Sequence, residues 1–215
     1  MKFCIIGLGI FGKKIAEKLF QHGAEVLAID SDEHEIAAIQ NNVTQAMCTE
    51  IIDIPSLEAI GIDNIDVVVI AIGENIAQSI LIAAIIKKRF GHIKVIARAA
   101  SQTQKEILEL LKVDQVVLPE EETAAELADI LNSPFTNLAR LSNTFSIGLI
   151  NIADHFVGKK IQDIDLYKKY KISCIAVQRE TEFISINSNY VILDYDKLVV
   201  SGKDNDIIAF EKDNR

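Results

Sequence analysis

Tryptophan is missing from this chain, and its 215 residues include only three prolines, three cysteines and two methionines. So little proline argues against long extended or disordered segments. Cys4, Cys48 and Cys174 are odd in number and far apart, which excludes a disulfide framework, and no CxxC or paired His/Cys spacing offers a zinc site. All three read as reduced thiols buried among apolar strand residues. Long hydrophobic runs are absent as well. The longest, residues 76–86, is interrupted by Gln78 and Ser79 and falls well short of the roughly 20 residues a membrane-spanning helix needs. The opening MKFCIIGLGIFG lacks the order of a secretory signal. A basic excess is lacking too: 22 Lys and Arg stand against 31 Asp and Glu, for a net charge of -9. Residues 1–133 hold 11 basic and 20 acidic side chains, while residues 134–215 are balanced at 11 each. This distribution excludes a general attraction to nucleic acid or to an anionic membrane surface. The pairs Lys13-Lys14 and Lys168-Lys169 and the run Lys87-Lys88-Arg89 read as solvated helix faces.

What is abundant is Ile, Val, Leu and Ala, in a chain that is 49% hydrophobic. Apolar runs at 2–6, 25–29, 44–48, 66–72, 94–98 and 115–118 read as strands. The patterns between them, at 11–22, 33–40, 55–60, 76–90 and 103–111, read as helices closed by Gly23, Gly61 and Gly91. Strictly alternating strands and helices predict an α/β, Rossmann-like, doubly wound parallel sheet. Pro119 and a Glu run then open a helix at 120–131, followed by a connector helix at 135–141. From residue 142 the grammar changes. Strands at 144–153, 173–179, 182–186 and 197–201, with short helices at 162–170 and 205–211, predict a small α+β domain. The expected organisation is therefore a nucleotide-binding domain at 1–133, a connector at 134–142 and a second domain at 143–215.

The strongest local pattern is Gly7-Leu8-Gly9-Ile10-Phe11-Gly12. It follows an apolar strand and opens an amphipathic helix, and the next strand ends at Asp30. This is the context of a dinucleotide fingerprint. Gly7 permits the tight turn, Gly9 lets a pyrophosphate approach the backbone, and Gly12 lets helix and sheet pack closely. The helix amino terminus offers unpaired amides to phosphate. Asp30 would accept hydrogen bonds from ribose hydroxyls. Ser31-Asp32-Glu33 carries no cation for a 2′-phosphate, so NAD(H), ADP, ATP or AMP is expected rather than NADP. A second cluster, Ala71, Gly73 and Asn75, follows the fourth strand at the same crevice. Arg98 ends the fifth strand there, and its guanidinium fork suits a phosphate.

Catalytic patterns are scarce. GxSxG, HExxH, SxxK and Walker sequences do not occur, and none of His22, His34, His92 and His155 ends a strand. A binding protein rather than an enzyme is the expectation. A small NAD-dependent oxidoreductase using His155, or an NAD- or redox-sensing module with a non-transport partner, are the alternatives.

Several segments bear a family resemblance. They are Ile5-Ile6-Gly7-Leu8-Gly9-Ile10-Phe11-Gly12, Val26-Leu27-Ala28-Ile29-Asp30, Val69-Ile70-Ala71-Ile72-Gly73-Glu74-Asn75 and Val113-Asp114-Gln115-Val116-Val117-Leu118-Pro119-Glu120, joined by Val157-Gly158-Lys159-Lys160-Ile161 and residues 193–202. The chain resembles, end to end, the regulator-of-conductance-of-potassium (RCK) subunits of the KtrA/TrkA type. The resemblance implies a cytoplasmic homo-oligomeric ring, peripheral at the inner face of the membrane, that gates a potassium transporter or channel through an adenine nucleotide. It also implies cyclic di-AMP on the second domain of some members. By position it places Glu50 near the adenine, Arg98 on a phosphate, and Glu120 on a divalent cation at a dimer interface. The last Rossmann helix and the connector are the expected dimer contact. KtrA-like members carry Arg directly after the second glycine. Here that residue is Ile10, which moves the expectation toward NAD(H), AMP or ADP.

Overall fold

Short β-branched runs and capped helices alternate through the first half of the chain. The computed structural model describes residues 1–132, 136–142 and 144–214, in two compact units, Met1–Ala124 and Ala125–Arg215. The first unit runs β1 (Lys2–Ile6), α1 (Ile10–Gln21), β2 (Glu25–Asp30), α2 (Glu33–Ile39), β3 (Gln45–Cys48), α3 (Ile54–Ala59), β4 (Val67–Ile70), α4 (Ile76–Arg89), β5 (Lys94–Arg98), α5 (Gln102–Leu110) and β6 (Gln115–Val117). Helix α6 (Pro119–Asn132) follows.

The helix starts are written in side chains. Asp32, Asn75 and Ser101 accept from the amides of His34, Gln78 and Gln104, and Asp53 and Ser56 form a reciprocal capping box. Helix α4 ends in Lys87, Lys88 and Arg89, and α6 begins with Pro119 and three glutamates, so both complement the helix dipole.

All strand pairs of this unit are parallel, in the order β3-β2-β1-β4-β5-β6. Alternate residues feed opposite faces. Cys4, Ile6, Ile29, Val68 and Ile70 pack with Ile82 and Ile86 of α4 and Leu108 of α5, while Ile5, Ala28 and Val69 pack with Ala16 of α1 and Ile39 of α2. Chain direction across the sheet reverses between β1 and β4, and that reversal opens a crevice at the strands' carboxyl ends.

The second unit contains β7 (Thr136–Ser142), β8 (Phe145–Asn151), α7 (Ile161–Ile164), α8 (Leu166–Tyr170), β9 (Ser173–Arg179), β10 (Glu182–Ser185), β11 (Lys197–Lys203) and α9 (Asp204–Asp213). Its sheet is antiparallel, ordered β10-β9-β11-β8-β7. Leu198, Val200, Val177 and Ile150 close over Ile207 and Phe210 of α9, and Tyr170 meets the Phe210 ring edge-on at 5.1 Å. Asn214 continues the stitching. Its amide oxygen accepts from the Ala153 amide at 3.0 Å, and its nitrogen donates to the Asn151 carbonyl.

Two sequence expectations give way here. The connector helix at 135–141 is instead strand β7 over Thr136–Ser142, paired with β8; residue 135 lies outside the described residues. A lone helix of seven residues is far below the roughly 12–15 at which helices hold alone, and the open edge of β8 supplies backbone partners. The helix expected at 162–170 is two helices, broken at Asp165, whose φ of 54° is left-handed.

Candidate functional site

The predicted residues of the first unit gather on one rim. Leu8 and Gly9 follow β1; Asp30 ends β2, with Ser31 next; and Glu50 lies two residues past β3, exposed. Ala71, Gly73 and Asn75 follow β4, Arg98 ends β5, and Glu120 sits in the first turn of α6.

The three glycines of the turn are glycine for different reasons. Gly7 has a φ of +96°, and a Cβ there would lie 2.9 Å from the Ile72 amide nitrogen. A Cβ on Gly12 would run into the Gly7 carbonyl oxygen and reach within 3.1 Å of Ala71 Cβ. Both are therefore demanded by the fold itself. Gly9 is not: its φ of -60° suits any residue, and no atom beyond its chain neighbours lies within 4 Å of where its Cβ would be. The space in front of Gly9 is open. Helix α1 begins beside it with no side-chain cap and no acid in its first turn, so the amides of Ile10, Phe11 and Gly12 keep the polarity of an anion site. Ile10 is 86% exposed.

Asp30 is engaged more heavily than its sequence role requires. One carboxylate oxygen accepts from the Leu8 amide at 2.6 Å, and the other accepts from the Asp32 amide at 2.9 Å. The Leu8 amide is thus spent inside the chain, and the carboxylate is oriented beside the glycine turn. Asn75 accepts from the Gln78 amide at 3.0 Å, which gives it the work of a helix cap. Glu50 adjoins Ile51, whose carbonyl accepts from Gln78 Nε2 at 3.0 Å and so ties the loop after β3 to α4.

Arg98 lies against Gly73, where a Cβ would collide with its Nη1. Its Nη2 donates to Glu120 Oε1 in an ion pair. The Glu120 main-chain amide, and next the Arg98 guanidinium, hold the Glu120 carboxyl below its usual range. Two residues read from sequence as separate ligand contacts therefore meet each other. Among the described residues, no three His, Cys, Asp or Glu side chains form a cluster fit for a metal. A single chain does not fit a divalent cation at Glu120.

Cys48 corrects the reading of three buried thiols: it is exposed, and its Sγ donates to the Ser31 carbonyl at 3.5 Å. Strand β3 ends the sheet order and has only one neighbour, so apolar composition does not guarantee cover there. Cys4 is buried and Cys174 half-buried, and burial pushes both thiols up to about 12. At neutral pH a thiol reagent is therefore expected to modify Cys48 alone in the native chain, and all three cysteines in denaturant. Mass spectrometry of the modified peptides checks this; rapid native labelling of Cys4 or Cys174 would contradict the burial.

In the second unit His155 lies in a 3-10 turn with its ring tilted on Phe156, centroids 4.0 Å apart. Sequence reading missed the polar centre there. Asp196 is buried, and its carboxylate accepts from Tyr190 Oη at 2.6 Å, from the Leu193 amide at 2.9 Å and from Arg179 at 3.4 Å. Burial first, and then Asp196, raises the Tyr190 phenol.

Known proteins place this architecture. A TrkA-N domain model matches residues 3–119, and a TrkA-C domain model matches residues 149–213. The chain belongs to the TrkA-N/TrkA-C family. Like other KtrA/TrkA-type RCK subunits, it aligns over nearly its full length with curated relatives. It is 33% identical over 213 residues to the Ktr system potassium uptake protein C of Bacillus subtilis, covering 98% of this chain and 96% of that protein. The Ktr system potassium uptake protein A of the same organism is 28% identical, covering 99% and 96%. The RCK subunit also shares its fold with the GsuK channel bound to NAD, at a TM-score of 0.59 and 20% identity, covering 98% of this chain and 38% of that one. It thus spans well under half of that channel's length. Among the described residues no helix of the subunit is long and apolar enough to cross a membrane.

Proposed function

We propose that this RCK subunit is a cytoplasmic regulator of a membrane potassium-uptake system of the Ktr/Trk type, working through an adenine nucleotide seated on the Gly7–Gly12 turn. The observation that carries this reading is Gly9, a glycine for which the chain has no internal use, set against open space at an uncapped helix start. The relatives' names supply the potassium system, and end-to-end similarity to them supports a common role.

Within the site, the α1 amides would hold the pyrophosphate and Asp30 with Ser31 the ribose. Glu50 would lie near the base, with Ala71, Gly73 and Asn75 along the crevice and Arg98 on a phosphate. Asp30, Asp32 and Glu33 repel a 2′-phosphate, and Ile10 offers no charge to a terminal one. NAD(H), ADP or AMP therefore fits better than NADP or ATP. The nucleotide acts by unequal affinity for two shapes of an oligomer, which needs no turnover. Leu127, Ile130 and Leu131 are exposed on α6, a face that a second copy of the chain would cover. A divalent cation at Glu120 would need donors from that second copy. For the second unit, cyclic di-AMP, which the family resemblance implies for some members, would be the ligand to test.

Calorimetric titration with NAD, NADH, AMP, ADP, ATP and cyclic di-AMP, alongside light scattering, tests this. The expectation is a defined oligomer that binds an adenine nucleotide without consuming it. Gly9→Val, whose added Cβ lies more than 4 Å from every atom beyond its chain neighbours, should leave the first unit folded and lose roughly tenfold or more in affinity, since a blocked phosphate contact forfeits charge-assisted hydrogen bonds. A monomer without nucleotide affinity, or a Gly9→Val chain that binds like the parent, would remove the reading.

A further inference from the structure

Arg98 and Glu120 come from neighbouring segments of the sheet rim, yet their surroundings differ. The Arg98 side chain is 19% exposed and wedged over Gly73, whereas the Glu120 side chain is 68% exposed. Arg98 Nε is buried without a hydrogen-bond partner, while Nη2 is given to Glu120. The guanidinium is thus the fixed member of the pair and is under-satisfied, and the carboxylate is the member free to swing into water. A carboxylate and a phosphate both present oxygens to a guanidinium fork, so they compete for the same donors. Glu120 released from Arg98 is not stranded. It stays in the first turn of α6, near its own amide and the positive end of the helix dipole.

We propose that Glu120 is a gate on the nucleotide site: its carboxylate occupies the Arg98 donors that a ligand's phosphate needs, and binding exchanges one anion for the other. This rests on the nucleotide reading of the rim and adds a regulatory element to it. The exchange makes the site demand a phosphate strong enough to displace a carboxylate. It also carries the ligand's arrival into α6, because the residue set free belongs to that helix. The apolar face at Leu127, Ile130 and Leu131 lies on the same helix, so ligand occupancy and assembly would be linked through one side chain.

The test compares ADP and adenosine on the full chain. Glu120→Gln removes the competing charge and should raise ADP affinity about two- to fivefold, the range set by partly exposed ion pairs. Adenosine, which carries no phosphate, should bind both chains equally. Glu121→Gln, which removes a neighbouring charge with no bond to Arg98, should leave ADP affinity as it was. In an Arg98→Gln background the gain from Glu120→Gln should vanish, as a double-mutant cycle requires for an effect carried by the pair. Unchanged ADP affinity in Glu120→Gln, an equal gain in Glu121→Gln or with adenosine, or a gain that survives without Arg98 would each overturn the gate while leaving the nucleotide reading standing. If neither the parent nor Glu120→Gln binds either compound, both readings fall together.

Discussion

Gly12→Ala is expected to destabilise the first unit by roughly 3 kcal/mol, the upper part of the range for overpacking a filled interior. The added methyl has no rotamer through which to escape. It would run into the Gly7 carbonyl oxygen, with Ala71 Cβ only 3.1 Å away. Relief requires helix α1 to lift from β1, which opens the layer of Ile5, Leu8 and Ala16 beneath it. Scanning calorimetry of the full chain should show the first unit melting about 10 °C lower, at the usual few degrees per kcal/mol. A melting point within a degree of the parent would mean that α1 does not pack as described. The contrast with Gly9→Val is the informative part. The two substitutions lie three residues apart in one pattern; one is expected to damage the fold, the other only the binding.

Asp196→Ala should cost the second unit a similar amount, about 3 kcal/mol, because it removes a buried carboxylate that terminates three donors. The Leu193 amide and the Tyr190 hydroxyl lose their acceptor. Arg179, one third exposed, can turn partly to water and over the Tyr195 ring, 5.1 Å away, so it loses less. Asp196→Asn keeps one acceptor oxygen and should fall between the two. Urea unfolding of the full chain followed by tyrosine fluorescence, undisturbed by any tryptophan, gives the comparison. An alanine variant as stable as the parent would show that the carboxylate is not the centre of this network.

The parallel half of the fold is legible because most strands are apolar runs bounded by glycines or capping residues, and the starts of α2, α3, α4 and α5 are marked by Asp32, Asp53, Asn75 and Ser101. The dinucleotide pattern located the crevice for the same local reasons. What escaped was what depends on neighbours distant in the chain. Residues 136–142 carry no strong strand pattern, and only the edge of β8 makes them one. Cys48 closes the strand read at 44–48, and its exposure follows from β3 being last in the sheet. Arg98 and Glu120 each read as a contact to an external ligand, and nothing local reveals that side chains 22 residues apart meet across β5 and the start of α6. Asp30 ends β2 as its sequence pattern predicts, but its bond to the Leu8 amide is a fact of three-dimensional register. Asp196 carries no local sign, among Asp194, Tyr195 and Lys197, of being the interior anchor that it is.

Asn214 bears on how the molecule can be handled. Its amide acts as a clasp between the end of α9 and the segment that leaves β8, so residues 211–214 are fastened down rather than trailing. Lengthening or shortening the last turn of α9 would therefore pull on the exit of β8, and the two elements should loosen together.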